Sequence, residues 1–254
     1  PTGAGKSLVI ADIASRLEGP LLVFQPSKEI LQQNFAKLQS YGIFDCGCYS
    51  ASVGCKDINR ITFATIGSVM NHMSDFDCFK NIIIDECHYV NSKSGQYKQF
   101  IEAKNRQVVG LTATPYRLDR AEGGSILKFL TRVRPRIFSK VIYCCQIGEL
   151  LSKGYLADLH YYDLTELDLR RVRSNSTGAD YDERSLLAEY ERCGFYDKLS
   201  NTVVKVLQPK SGIPRKGVLV FTAFTKEARQ LVDKLQSLRI NAAIVTGETP
   251  KKER

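Results

Sequence analysis

Three short runs hold the residues whose types and spacing could do chemistry. The first, Pro1-Thr2-Gly3-Ala4-Gly5-Lys6-Ser7, is the body of a phosphate-binding loop. In the full pattern, G-x-x-x-x-G-K-S/T, the glycines let backbone N–H groups converge on phosphate oxygens, and the lysine brings a point charge to the β- and γ-oxygens. Thr2, Gly3, Ala4, Gly5, Lys6 and Ser7 are thus the expected cradle for ATP, with Ser7 also a ligand of Mg²⁺. The second run is Asp85-Glu86-Cys87-His88, at the end of the apolar stretch from Asn81. Two adjacent carboxylates repel each other unless a cation sits beside them. Mg²⁺ carried by ATP supplies that charge, with Asp85 binding the metal and Glu86 orienting and deprotonating the attacking water. The third run, Thr112-Ala113-Thr114-Pro115, sets two hydroxyls at the end of an apolar strand that the proline terminates. Because the loop's opening residue falls ahead of Pro1, the full protein is expected to begin earlier.

These groups need a scaffold, and the hydrophobic pattern predicts one. Leu8, Val9, Ala11, Ile13, Ala14 and Leu17 fit a helix running on from the loop, which aims its N-terminal dipole at the phosphates. Short apolar runs at Leu21 to Phe24, Ile61 to Thr65, Ile82 to Asp85 and Val108 to Thr112 read as buried parallel strands. Ser27 is placed to cap a helix whose i, i+3, i+4, i+7 and i+8 positions are Ile30, Leu31, Asn34, Phe35 and Leu38. The fold class is therefore α/β, wound around a central sheet, and in such folds ligands bind beyond the carboxyl ends of the strands.

Composition excludes more than it assigns. A chain of 254 residues with 43% hydrophobic content can bury one large core or two smaller ones. There is no run of eighteen apolar residues and no charged-then-apolar leader, so the expected setting is the cytoplasm, away from membranes. The net charge of +9 favours a polyanionic partner. Eight cysteines include the group Cys46, Cys48 and Cys55 but no paired C-x-x-C ligands, so free reduced thiols are expected rather than zinc. His72, His88 and His160 are the three histidines, and none lies in a nucleophile motif.

The order of the three runs resembles the superfamily 2 helicases. Pro1 to Ser7 is similar to helicase motif I, Asp85 to His88 to a D-E-C-H box of the DEAD/DEAH type, and Thr112 to Thr114 to motif III. The resemblance implies two RecA-like P-loop NTPase domains with central parallel sheets, at 1–140 and 141–254, the second truncated. It implies catalytic roles for Lys6, Asp85, Glu86, His88, Thr112 and Thr114, with His88 linking the ATP site to the second domain. Phe24-Gln25-Pro26-Ser27-Lys28 looks like motif Ia, and Thr62 to Val69 looks like the strand-loop element that follows it. Nucleic acid is accordingly expected on Pro26, Ser27, Lys28, Thr65 and Ser68. Short hydroxyls and helix N-termini suit phosphate contacts.

Tyr49-Ser50-Ala51, Pro115-Tyr116-Arg117-Leu118 and Gly154-Tyr155-Leu156 are similar to bacterial RadD-like DNA-repair helicases, which puts DNA ahead of RNA. Arg132, Arg134, Arg136 and Lys140 mark the expected interdomain link, either as a nucleic-acid face or as a solvated strip. Arg173 to Asp180 reads as a loop and Tyr181 to Leu207 mainly as helix. Gly217 to Thr222 resembles the motif IV strand, Thr225 is placed to cap the next helix, and Ala242 to Val245 reads as a strand leading to Thr246-Gly247-Glu248. Thr222, Thr246 and Gly247 are the expected nucleic-acid contacts there, and motifs V and VI with the arginine finger are expected beyond Arg254. A translocating subunit of a restriction enzyme, a nucleotide-dependent RNA sensor and a non-catalytic P-loop module are the alternatives. Protein partners are expected through missing or fused domains.

Overall fold

The computed structural model describes residues 3–121, 124–157, 167–175 and 181–250, and between 118 and 125 the backbone alone. It divides into two compact units, Pro1–Asp158 and Leu159–Arg254. Thr2, His160 and the polar stretch 176–180 lie outside the described residues.

The first unit is built on a six-stranded sheet. Its strands are β1 (Leu21–Phe24), β2 (Cys46–Ser50), β3 (Cys55–Lys56), β4 (Ile61–Ala64), β5 (Asn81–Asp85) and β6 (Gln107–Leu111), in the order β3-β2-β4-β1-β5-β6. All neighbours are parallel except β3, which runs antiparallel to β2 at the edge. Every residue of β1 and β4 is buried. That explains their unbroken apolar sequences, because strands covered on both faces have no solvent side to alternate with. The helices α1 (Lys6–Arg16), α2 (Lys28–Ser40), α3 (Ile66–Met70) and α4 (Gln96–Glu102) connect the strands. One core cluster holds Leu22, Phe24, Phe76, Phe79, Ile82, Ile84 and Phe100, and a second holds Ile10, Ala14, Leu21, Val23, Leu31, Phe63 and Ile83. Each such large side chain contributes roughly 1.5–3 kcal/mol by leaving water.

Register places the functional runs. Leu21 pairs with both Ile61 and Asn81, and Asn81 pairs with Gln107, so the strands finish nearly level. Gln25, Thr65, Asp85 and Thr112 therefore come out along one carboxyl edge, as doubly wound sheets require of a ligand site. A mostly parallel α/β sheet in this order is consistent with a RecA-like domain. Ser27 caps α2 as expected, its hydroxyl accepting from the Ile30 N–H at 3.3 Å. The buried face of α1 is Ile10, Ala11 and Ala14, while Leu8 and Val9 are exposed.

Two local readings, the free thiols at Cys48 and Cys55 and the cap at Thr225, are corrected. Cys48 and Cys55 form a disulfide with their Cα atoms 5.6 Å apart, where free thiols were expected. The antiparallel β2–β3 pairing brings these strands together, a register that the cysteine spacing does not disclose. After Pro115 the chain turns into a hairpin of β7 (Tyr116–Ala121) and β8 (Gly124–Phe129), which forms its own two-stranded sheet. In the second unit, α6 (Glu183–Arg192) and α7 (Phe195–Leu207), which follow α5 (Ile147–Ser152) of the first unit, are separated at Gly194 with φ of 64°. The helix α8 (Thr225–Ser237) has Phe224 rather than Thr225 at its cap, because the Glu227 carboxylate accepts from the Ala223 N–H at 2.9 Å and the Phe224 N–H at 3.3 Å.

The segments 217–222 and 242–245 are not paired into a sheet among the described residues. A strand needs a neighbour for its N–H and C=O groups. Here Val220 and Ala242 pack beside Val203, Leu231 and Leu235, while Leu219 and Phe221 stay 79% and 88% exposed.

Candidate ATP and nucleic-acid sites

The phosphate loop enters α1 through two glycines in the left-handed region, Gly3 with φ of 81° and Gly5 with φ of 78°. A side chain at either position would be strained, which is the physical reason for glycine there. Directly after them, the Lys6 ammonium forms an ion pair with the Glu86 carboxylate, both side chains about three-quarters buried. The loop and the D-E-C-H run, 80 residues apart, thus meet at one point.

Asp85 and Glu86 face different partners because Glu86 adopts a left-handed backbone, φ 49° and ψ 49°. Glu86 turns to Lys6 and, at 3.3 Å, to His88 Nδ1. Asp85 is 5% exposed and accepts from the Glu86 N–H at 3.0 Å and from Asn34 Nδ2 at 3.3 Å. Burial pushes its pKa up, against the opposing effect of the nearby Lys6 charge. A buried carboxylate in that state gains by meeting a divalent cation. Ser7 Oγ donates to Asn34 Oδ1 at 2.7 Å, so Ser7 and Asp85 share Asn34 as their common neighbour. These two oxygen donors beside a lysine and a glycine-lined turn suit Mg²⁺ carried by a nucleotide phosphate.

Cys87 points away from this chemistry. It is 3% exposed, and burial with the neighbouring carboxylates pushes its thiol up to about 12. It packs on β6 at Gly110, where an added Cβ would lie 2.6 Å from Cys87 Sγ and 2.7 Å from Phe138 Cε1. The glycine between Val109 and Leu111 is therefore a steric requirement of the strand pair. His88 Nδ1 lies 2.9 Å from Thr112 Oγ1, and Thr112 Oγ1 accepts from the Thr114 N–H at 3.0 Å. Glu86, His88, Thr112 and Thr114 thus lie in one continuous line of polar contacts.

Along the same edge, Gln25, Pro26, Ser52, Thr65, Ser68 and Tyr97 are among the residues lining a surface pocket of about 340 Å³. Its hydroxyls are linked, with Thr65 Oγ1 3.1 Å from Ser50 Oγ and 3.0 Å from Ser68 Oγ, and Ser68 Oγ accepting from the Ala51 N–H at 2.9 Å. Of the expected first-unit nucleic-acid contacts, Pro26, Thr65 and Ser68 line this pocket, whereas the Ser27 side chain serves the helix cap. In the second unit Thr222 Oγ1 donates to the Phe224 carbonyl at 3.2 Å, and Thr246 Oγ1 accepts from the Glu248 N–H at 3.2 Å. Gly247 is exposed. Arg132, Arg134, Arg136 and Lys140 are exposed, and Arg170 and Arg171 are held by Asp168 at 2.8 and 3.4 Å.

Residues 1–117 match the family described as type III restriction enzyme, res subunit. A protein of African swine fever virus named for an ATP-dependent RNA helicase is 30% identical over 129 residues, which cover 48% of this chain and 25% of that protein. The DNA 3'-5' translocase XPB2 of Sulfurisphaera tokodaii is 27% identical over 176 residues, covering 67% of this chain and 37% of that protein. The chain thus spans between a quarter and two-fifths of these curated relatives. The UvsW helicase of bacteriophage T4 aligns with a TM-score of 0.40 at 23% identity over 45% of each chain.

The first unit also uses residues that pattern reading passed over. Asn34 was counted as one position of an apolar stripe, yet its amide touches Ser7, Gln25 and Asp85. A polar residue at a core-facing helical position is the signal that could have found it. Gln25, 1% exposed at the end of an apolar strand, carries the same signal.

Proposed function

We propose that this chain is the ATP-binding part, with the start of the second lobe, of a nucleic-acid-stimulated ATPase that moves along a phosphate backbone. The supporting observation is the meeting of Lys6 with Glu86 beside the Ser7–Asn34–Asp85 bridge, with His88 joining the same point to Thr112. Bound ATP with Mg²⁺ supplies the phosphoryl group that is transferred to water. Lys6 neutralises the γ-phosphate oxygens, Ser7 and Asp85 hold the metal, and Gly3, Ala4 and Gly5 present backbone N–H groups, with Thr2 completing the loop. Glu86 takes the proton of the attacking water. Thr112 and Thr114 carry the change in that carboxylate outward through His88. The functional boundary lies near residue 140, and Thr222, Thr246 and Gly247 meet the strand from the second lobe.

DNA is the favoured track, in repair or recombination and in the cytoplasm, on the resemblance to RadD-like helicases of the D-E-C-H type. XPB2 is a DNA translocase by name, which supports the same reading. The family's restriction-enzyme description supports a second one, a translocating subunit whose nuclease and protein partners lie in other domains.

Backbone contacts carry no sequence information, but they release counterions. Binding of the full-length protein to unrelated oligonucleotides of equal length should vary little. With about six phosphates contacted, affinity should fall on the order of a thousandfold between low and physiological salt. Titrations across single-stranded DNA, duplex DNA and RNA check this. Affinity that ignores salt, or that depends strongly on one base sequence, would contradict the motor reading, and a preference for RNA of the same sequence would overturn the DNA assignment.

A further inference from the structure

The first unit contains a partly buried chain of amides whose two ends lie in different sites. At one end Ser7 Oγ donates to Asn34 Oδ1 at 2.7 Å, and Asn34 Nδ2 donates to Asp85 Oδ2 at 3.3 Å. The same Asn34 Nδ2 donates to Gln25 Oε1 at 3.1 Å. At the other end Gln25 Nε2 is buried and has no hydrogen-bond partner, although Gln25 lines the pocket that Pro26, Thr65 and Ser68 share.

The chain has a single sense. The Asp85 carboxylate accepts only, so the Asn34 group facing it must be the NH₂, and the Asn34 carbonyl must then receive the Ser7 proton. Gln25 must present its carbonyl to the Asn34 NH₂, since the flipped amide would set donor against donor. What remains is a donor at Gln25 Nε2 with no partner, and buried donors are rarely left that way. An acceptor entering the pocket, such as a phosphate oxygen, would complete it. At the far end the consequence is chemical. With its proton committed to Asn34, the Ser7 oxygen keeps its lone pairs for a metal, and Asn34 and the Glu86 N–H each take one oxygen of Asp85, leaving the remaining lone pairs free.

We propose that Asn34 and Gln25 are positioning residues that couple strand occupancy of the pocket to the metal-binding geometry of Ser7 and Asp85. The inference rests on the motor reading above. A phosphate oxygen that accepts from Gln25 Nε2 fixes the Gln25 amide, which fixes Asn34 and hence the Ser7 hydroxyl and the Asp85 carboxylate. Linkage makes the effect reciprocal, so a nucleotide with Mg²⁺ tightens strand binding by the same factor that the strand tightens nucleotide binding.

The test is the coupling factor itself, measured on the full-length protein without turnover. Affinity for a non-hydrolysable ATP analogue with Mg²⁺ is titrated in the absence and presence of a saturating oligothymidine strand. The parent should gain about fivefold or more, the usual scale of coupling between sites. Asn34→Leu and Gln25→Met keep side-chain volume and remove the amides, and in each the gain should fall to within about twofold of one. The double variant should lose nothing further, because both changes cut one path. A thermal melt confirms folding, and if Asn34→Leu does not fold, Gln25→Met alone decides. A coupled parent whose folded variants keep the full gain would overturn the relay and leave the motor reading standing. A parent that shows no gain at all would contradict the motor reading and take the relay with it.

Discussion

Replacing Glu86 with glutamine should leave the full-length protein able to bind ATP while slowing hydrolysis on the order of a hundred- to ten-thousandfold. General-base catalysis typically contributes that much, and the amide has no basic oxygen with which to take a proton. The structure adds a second expectation. Lys6 is neutralised by Glu86 and about three-quarters buried, so the glutamine variant releases the ammonium for phosphate. Its affinity for ATP should therefore equal or exceed the parent's. Equilibrium binding with single-turnover hydrolysis separates the two effects. Hydrolysis at the parent rate would remove Glu86 from the chemistry, and lost affinity would mean that the ion pair holds the loop in shape.

Replacing Arg106 with methionine should destabilise the first unit by about 3 kcal/mol. The Arg106 side chain is wholly buried and donates to the carbonyls of Phe79 at 3.1 Å, Phe76 at 3.3 Å and Phe100. Its guanidinium carbon also sits 3.9 Å above the Phe100 ring. These carbonyls belong to two segments, the turn 76–79 and α4, that meet near the amino ends of β5 and β6. Methionine matches the aliphatic stem but takes the donor from the Phe79 and Phe100 carbonyls, at roughly 1–3 kcal/mol each, while the Phe76 carbonyl keeps its bond from the Phe79 N–H. Release from burial, which already lowers the arginine pKa, offsets part of the sum. At about 2–4 °C per kcal/mol for a unit of this size, the melting temperature should drop by roughly 6–12 °C. A variant that melts with the parent would show that water or another donor replaces the guanidinium.

The sequence made the strand–helix alternation legible because the strands are buried on both faces and therefore read as unbroken apolar runs. The glycine-rich loop and the carboxylate pair stand out by residue types at fixed spacing, and the structure brings Lys6 of one against Glu86 of the other. Asn34 was not legible, because one amide inside an apolar stripe becomes meaningful only when α2 is laid against Ser7 and Asp85. Arg106 was equally hidden, its three acceptors being carbonyls that no side-chain pattern reveals. The Cys48–Cys55 pair depended on the register of a two-residue edge strand. The strands expected at 217–222 and 242–245 have the right composition, but a ladder requires neighbours and propensity alone does not supply them.

The central claim is that Lys6, Asp85 and Glu86 form an ATPase site whose turnover responds to nucleic acid. It is tested most directly by phosphate release from the full-length protein with Mg²⁺ and ATP, alone and with saturating single-stranded DNA, duplex DNA or RNA. The predicted result is slow turnover alone, a clear increase with at least one nucleic acid and most strongly with DNA, and loss of both rates in Lys6→Ala. Turnover that is unchanged by every nucleic acid, or that survives intact in Lys6→Ala, would contradict it.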